Sequence, residues 1–427
     1  MQRALAYALS PAPGVPLRFL LAAPWFGVLA ALALFAAGAN AYDSRWAMPT
    51  LGVTHLLTLG YLGMAMTGSM LQLIPVVTGT ALPFSRAAAA LLWSGLALGA
   101  LLLAGALGLN ATTLFAPAAM LLVGAFTILV AGVARALVRP AAAGAMPMVR
   151  GMRLAVAGLV VTVILGVVLA LSLAGMLAAP VLMLANLHAA WGLLGWVAML
   201  VVGVAFQVIP MFQASRIYPA PVTRWAPLLL AGLLAAWSAA WIAGHSGAGI
   251  AAVLLGAALM AFATLSARLL ATRKRKETDA TTLYWRLSLG SLAASALLYA
   301  FAYLLPEHAQ APLVIGIVFI VGFAMGAVNG MLYKIVPFLL WYHLQHDPAA
   351  KKGAVPSIRL ILPDALARRQ FWWYVAALAL MVGAVYLPQS LARPAALLLA
   401  VASLLLGRDL WRAAARCRKI RAAFQPS

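Results

Sequence analysis

Acidic residues are scarce in this chain: seven Asp and Glu stand against 29 Lys and Arg in 427 residues. Charged residues of both signs make up only 8%, where a soluble domain carries about 25%. That shortage excludes a water-soluble surface, and a mean hydropathy of +1.03 says the same. A single cysteine, Cys417, excludes a disulfide framework and a thiolate metal cluster. No phosphate loop, dinucleotide fingerprint, His-Glu-x-x-His helix or nucleophile elbow is present. A net charge of +22 would alone suggest a nucleic-acid partner. With 66% apolar residues, none is expected; the partner is a lipid bilayer.

What is present is a succession of apolar runs long enough to span that bilayer, each of about 20 residues. Twelve spans are expected, among them 51–77, 180–209, 311–342, 371–388 and 394–411. The fold class is therefore all-α and polytopic. Prolines punctuate the breaks at Pro83, Pro140, Pro180, Pro219, Pro221, Pro306 and Pro348. The first run ends at Ala39-Asn40-Ala41, which superficially fits a cleavage site. At about 22 residues it exceeds the roughly 7–15 of a signal-peptide core, so an uncleaved first span is expected.

The cations set the orientation. Of 29, the N-terminal segment, the even-to-odd breaks and the tail hold 26, including Arg273-Lys274-Arg275-Lys276, Lys351 and Lys352. The opposite breaks hold only Arg45 and Arg393, and Lys334 falls inside a span. The positive-inside rule places both termini in the cytoplasm of a cell that inserts the chain in its cell (inner) membrane. The basic run at 273–276 then faces anionic lipid.

Three segments share a spelling: Gly68-Ser-Met-Leu-Gln72-Leu-Ile-Pro75, Gly203-Val-Ala-Phe-Gln207-Val-Ile-Pro210 and Gly330-Met-Leu-Tyr-Lys334-Ile-Val-Pro337. They lie near the same end of spans 2, 6 and 10, so the chain reads as three four-span units, 17–139, 150–272 and 283–412, with a tail at 413–427. The expected architecture is pseudo-threefold, with those three helices in the middle. The Gly allows close helix approach, and the Pro ends or kinks the helix. Gln72, Gln207 and Lys334 are polar groups that must face protein or water, and they form the expected polar lining of the central helices. Lys334 is either a functional buried amine or a lysine snorkelling to the surface.

All seven acids fall in breaks or at span ends, so no buried carboxylate is expected for a proton relay. His55 and His188 lie near the opposite ends of spans 2 and 6, at depths differing by about 3 Å. Matched imidazoles there suggest ligation of a haem or metal. Their azimuths, about 160° apart in a shared helical frame, favour two separate sites. His343 and His346, three apart, are a weaker candidate for zinc or copper; His245 and His308 fall in outer turns. The methionines, Met64, Met66 and Met70 included, read mostly as packing, and the tryptophans as interfacial anchors.

Twelve spans in three units, with a histidine on span 2 and another on span 6, resemble the catalytic subunit of the haem-copper oxidase and nitric oxide reductase superfamily. The resemblance implies that His55 is an axial ligand of haem b and that His188 is a ligand of copper or iron. The chain departs from that family by having no histidine in 226–244 or 311–328, so the complete binuclear centre is not implied. It looks more like a divergent relative, of the kind that includes the haem- and copper-containing NnrS proteins, though no distinctive NnrS motif is found. The implied role is electron transfer or nitric-oxide and respiratory metabolism with a redox partner or respiratory complex. Two other classes stand beside it: a transporter or channel for a small solute, metal or haem, with Gln72, Gln207 and Lys334 as constriction, and a non-catalytic assembly factor of a respiratory complex.

Overall fold

The computed structural model describes residues 7–139, 141, 143–274, 277–304, 309–347, 350 and 355–424. Pro140, Pro306, Pro348, Glu307, His308, Arg3, Arg275, Lys276, Lys351 and Lys352 lie outside the described residues. Among the described residues there is no strand, and twelve long helices follow one another. They are α1 Gly14–Ala37, α2 Met48–Thr78, α3 Arg86–Gly108, α4 Phe115–Val138, α5 Met146–Leu173 and α6 Val181–Gln213. The chain continues with α7 Ala220–Ile242, α8 Gly247–Ala271, α9 Ala280–Leu304, α10 Ala311–Gln345, α11 Asp364–Ala384 and α12 Pro388–Ala422.

Eleven of these are long and apolar enough to cross a membrane, and the chain is a helical polytopic membrane protein. Helices are the natural answer to such a sequence, because in lipid every backbone N–H and C=O must be satisfied within the segment. The eleventh expected span, 371–388, is where the reading and the structure part. α11 forms, but its first turns carry Asp364, Arg368, Arg369, Trp372 and Trp373, which leaves its apolar stretch short. α12 differs too. It runs on to Ala422, through most of the expected tail, because Leu406, Leu410, Ala413, Ala414 and Cys417 keep a buried face at helical spacing.

Three helices are central. Within their most apolar windows, 78% of α2, 72% of α6 and 67% of α10 is buried, against at most 50% for any other. Each has the same internal construction, an α-helix widened for eight residues into a π-helix: Leu56–Gly63, Trp191–Ala198 and Val318–Met325. Each widened segment ends five residues before Gly68, Gly203 or Gly330. The widening loosens the usual carbonyl ladder, and neighbours take up what it frees in α10: Ser288 Oγ donates to Phe323 O at 2.8 Å, and the Tyr374 hydroxyl donates to Val321 O. The Tyr61 hydroxyl donates to Asn329 Oδ1, joining the widened turn of α2 to α10.

Each central helix is seated through glycine on the helix that precedes it. A methyl group at Gly203 would lie 2.8 Å from Gly151 Cα, so α5 and α6 touch backbone to backbone. One π segment away, Gly195 meets Gly158 in the same manner. The equivalents elsewhere are Gly68 on Phe19 and Gly60 on Phe26 of α1, then Gly330 on Tyr284 and Gly322 on Ser291 of α9. In an apolar solvent there is no hydrophobic force between helices, and such close packing is what holds them together. Pro75, Pro210 and Pro337 lie inside their helices, which run three, three and eight residues further, so of the two expected effects, ending or kinking the helix, proline does not end it at once. α12 closes the arrangement by packing along α1, with Ser403 against Gly27 and Trp25 against Gly407.

Candidate functional site

His55 is the last residue of the first α-segment of α2, and His188 occupies the corresponding segment of α6. His55 Nδ1–H donates to Leu51 O at 2.8 Å within its own helix. His188 Nδ1–H donates to Thr162 O of α5 at 3.0 Å. A carbonyl only accepts, so each bond assigns the proton to Nδ1 and leaves the lone pair on Nε2. Among the described residues neither Nε2 makes a hydrogen bond. This tautomer, fixed by a backbone carbonyl, is the usual state of a metal-ligating histidine. Both side chains are half-buried.

The two imidazoles meet. Their ring centres are 6.2 Å apart, with planes 20° from parallel. The azimuthal argument for two separate sites compared the residues within one helical frame. Two neighbouring helices running the same way turn different faces to each other, so side chains that touch between them must differ in azimuth.

The donor set is two neutral nitrogens. Among the described residues no group of three or more His, Cys, Asp and Glu gathers anywhere, so a four-ligand zinc site is not built here. A haem brings its own four equatorial nitrogens and asks the protein for two axial ligands at most. The pair fits that request in ligand number and in the Nδ1–H tautomer. Above it, Arg45 Nη2 donates to Asn186 Oδ1 at 2.9 Å and ties the α1–α2 turn to α6 two residues before His188.

At the opposite end the three polar motif residues do not converge. Gln72 Nε2 donates to Ser10 Oγ at 3.2 Å. Lys334 Nζ lies 2.7 Å from Asp279 Oδ2, and Gln207 is half-buried. Between α2, α6 and α10 there is instead a cavity of about 70 Å³ whose wall includes none of the three. Residues one and five after each motif glycine line it: Ser69, Val204, Met331, then Leu73, Val208 and Ile335. The position four after the glycine falls on the flank of each helix, away from that wall. Of the two readings of Lys334, the buried amine included one with a carboxylate partner, and Asp279 is such a partner. Asp279 precedes α9, and its Oδ1 also accepts Thr282 N–H at 2.9 Å. Burial pushes the Asp279 carboxyl up, but Lys334 and Thr282 outweigh it and hold it below the ordinary carboxylate range.

A buried carboxylate is present after all. The Asp409 side chain is fully enclosed in α12, with Arg408 Nη2 at 2.8 Å, Arg369 Nη2 at 3.8 Å and the Tyr333 hydroxyl donating at 3.3 Å. Its inclusion follows from the extra length of α12, which turns an expected span end into mid-helix. Among the described residues His343 and His346 gather no third ligand; His346 Nδ1–H bonds Tyr342 O at 2.9 Å. No family model matches the chain, and no curated protein matches it.

Proposed function

We propose that this is an oxidase-like integral membrane protein that carries electrons through a haem b held jointly by His55 and His188. The observation that supports the reading is the pair itself: two imidazoles on different central helices, each bonded through Nδ1 to a backbone carbonyl, with ring centres 6.2 Å apart. A haem bound there supplies one-electron chemistry in a low-dielectric setting. His55 and His188 fix its position, and Leu51 O and Thr162 O fix the ring tautomers. A haem held by these two histidines would serve electron transfer within nitric-oxide or respiratory metabolism, with a redox partner or respiratory complex. His188 as a ligand to copper or iron alone is the lesser form of the same proposal.

The architecture proposed with it is pseudo-threefold, three four-helix units of twelve spans with α11 as the eleventh. The matched π segments, glycine seats and cavity-lining positions support that reading. The basic ends of the helices face the cytoplasm of a cell membrane, as the distribution of cations suggests. The transporter alternative loses its constriction, since Gln72, Gln207 and Lys334 stand off the central cavity.

The experiment is a reduced-minus-oxidised visible spectrum with metal analysis of protein purified after expression with ample haem and iron. A Soret band that falls to below about a tenth in His55→Ala and in His188→Ala is expected. Haem-free protein from such preparations would remove the proposal.

A further inference from the structure

What keeps α11 from being a full-length apolar span gathers on one of its faces. Arg369, Trp372, Trp373 and Ala376 stand at helical spacing, three, four and seven residues from the first, and line an open groove of about 360 Å³. Both indoles are exposed, Trp372 by 63% and Trp373 by 41%. Beyond the tryptophans, α11 rises only about 15 Å from Tyr374 to its last residue, Ala384. That is half the roughly 30 Å of a bilayer's hydrocarbon. A helix short of apolar length draws the headgroup layer toward it, so the groove falls at headgroup depth, the usual level of tryptophan.

The charge on this face is not balanced by the protein. Arg408 Nη2 and Nε donate to Asp409 Oδ1 at 2.8 and 3.1 Å. Arg369 Nη2 stands 3.8 Å from the same oxygen, beyond hydrogen-bond length. One enclosed carboxylate thus meets two guanidiniums, which leaves one positive charge in excess. The nearest acids in the chain do not supply it, because Asp364 pairs with Arg368 and Asp279 with Lys334. The Arg369 side chain is 44% exposed, and a guanidinium presents five N–H donors in a planar fork that matches phosphate oxygens. Two indoles alone would suit a quaternary ammonium, but Arg369 repels a cation. A neutral guest leaves the excess charge unmet, and a phosphate meets it.

We propose that this groove binds an anionic phospholipid, with Arg369 as the partner of its phosphate and Trp372 and Trp373 against its glycerol and first acyl carbons. The bilayer is the source rather than free phosphate, since the exposed indoles beside the guanidinium offer apolar surface that an inorganic ion does not use. Arg369 also stands beside Asp409, whose other oxygen accepts from Tyr333 of α10. The lipid is therefore one ion pair and one hydrogen bond away from a central helix.

The test is native mass spectrometry of the full chain in detergent, titrated with phosphatidylglycerol, with phosphatidylcholine and with inorganic phosphate. The first phosphatidylglycerol is expected to bind more tightly than phosphatidylcholine, and Arg369→Gln to weaken it about tenfold, the worth of one charge-assisted contact. Arg412→Gln removes the same charge from an exposed position of α12 and leaves that affinity unchanged. Should Arg369→Gln not fold, Trp372→Ala, at an exposed position, carries the test and also weakens phosphatidylglycerol. Equal affinity for the two lipids would overturn the proposal, as would equal losses in Arg369→Gln and Arg412→Gln. Displacement of the bound lipid by inorganic phosphate would overturn it as well. None of these results bears on the haem, which is decided by the optical spectrum.

Discussion

The imidazoles of His55 and His188 lie 6.2 Å apart, 20° from parallel, and each is anchored by Nδ1 to a backbone carbonyl. Two side chains on different helices are thus brought together as a pair. On the proposed reading, the protein binds one haem per chain. His55→Ala and His188→Ala each remove it, and the double variant is no worse than either, because the site is a unit. Pyridine haemochrome titration against protein concentration gives the stoichiometry. Two haems, or a single variant that keeps a full complement, would contradict a shared centre.

If both histidines ligate the haem iron, as proposed, there is an optical consequence. Carbon monoxide added to the reduced protein leaves the Soret band in place, while in His188→Gly, with the sixth position open, it shifts the band. Spectra taken before and after saturation with the gas distinguish the two.

Gly203 and Gly151 put two helices in backbone contact, and a methyl group at Gly203 has only 2.8 Å. Gly203→Val is expected to cost at least about 1–3 kcal/mol, the range for overpacking. Gly124→Ala, where nothing lies within 4 Å, is expected to change stability by less than about 0.5 kcal/mol. Thermal midpoints in nanodiscs provide the comparison.

Lys334 and Asp279 form a partly buried ion pair at 2.7 Å. Lys334→Gln, which restores the residue of the other two repeats, leaves the carboxylate without its cation and costs about 1 kcal/mol; adding Asp279→Asn recovers most of it. The pH dependence follows from the direction of the shift. The folded-state carboxyl sits below its ordinary value, so the stabilisation is complete above the unfolded value near pH 4 and is lost as pH falls through the folded one. Wild-type melting temperature should fall more steeply than that of the double variant below about pH 4.

Asp409 is enclosed with Tyr333, Arg408 and Arg369 around it. Asp409→Asn keeps the shape and removes the charge, at an expected cost of about 1–2 kcal/mol. Tyr333→Phe alone costs less, since its 3.3 Å bond is long. Equal melting temperatures for Asp409→Asn and wild type would mean that the carboxylate contributes nothing to the fold.

Much of this architecture was legible from residue type alone. Long apolar runs announce helices because lipid admits little else, and the recurring Gly and Pro marked α2, α6 and α10 as a set. The matched depth of His55 and His188 was also readable, since rise along a helix is nearly constant. Their meeting was not, because contact depends on which faces two helices turn to each other. The Gly-aromatic pairs Gly60-Tyr61, Gly195-Trp196 and Gly322-Phe323 recur at the repeat spacing and were available as a signal for the π segments. The pairing of Lys334 with Asp279 joins the start of one helix to the middle of another, and no periodicity encodes it. Asp409 was misplaced for a simpler reason: charge on one face of α12 disguised the buried face that carries the helix on to Ala422.

The glycine seats have a consequence for the order in which the molecule is made. Each joins a central helix to the one before it in the chain, so each hairpin is able to close soon after it is synthesised. The contact of α1 with α12 is of the opposite kind, linking the earliest long helix to the last. Each hairpin needs only its own two helices, whereas the contact of α1 with α12 waits for the final helix.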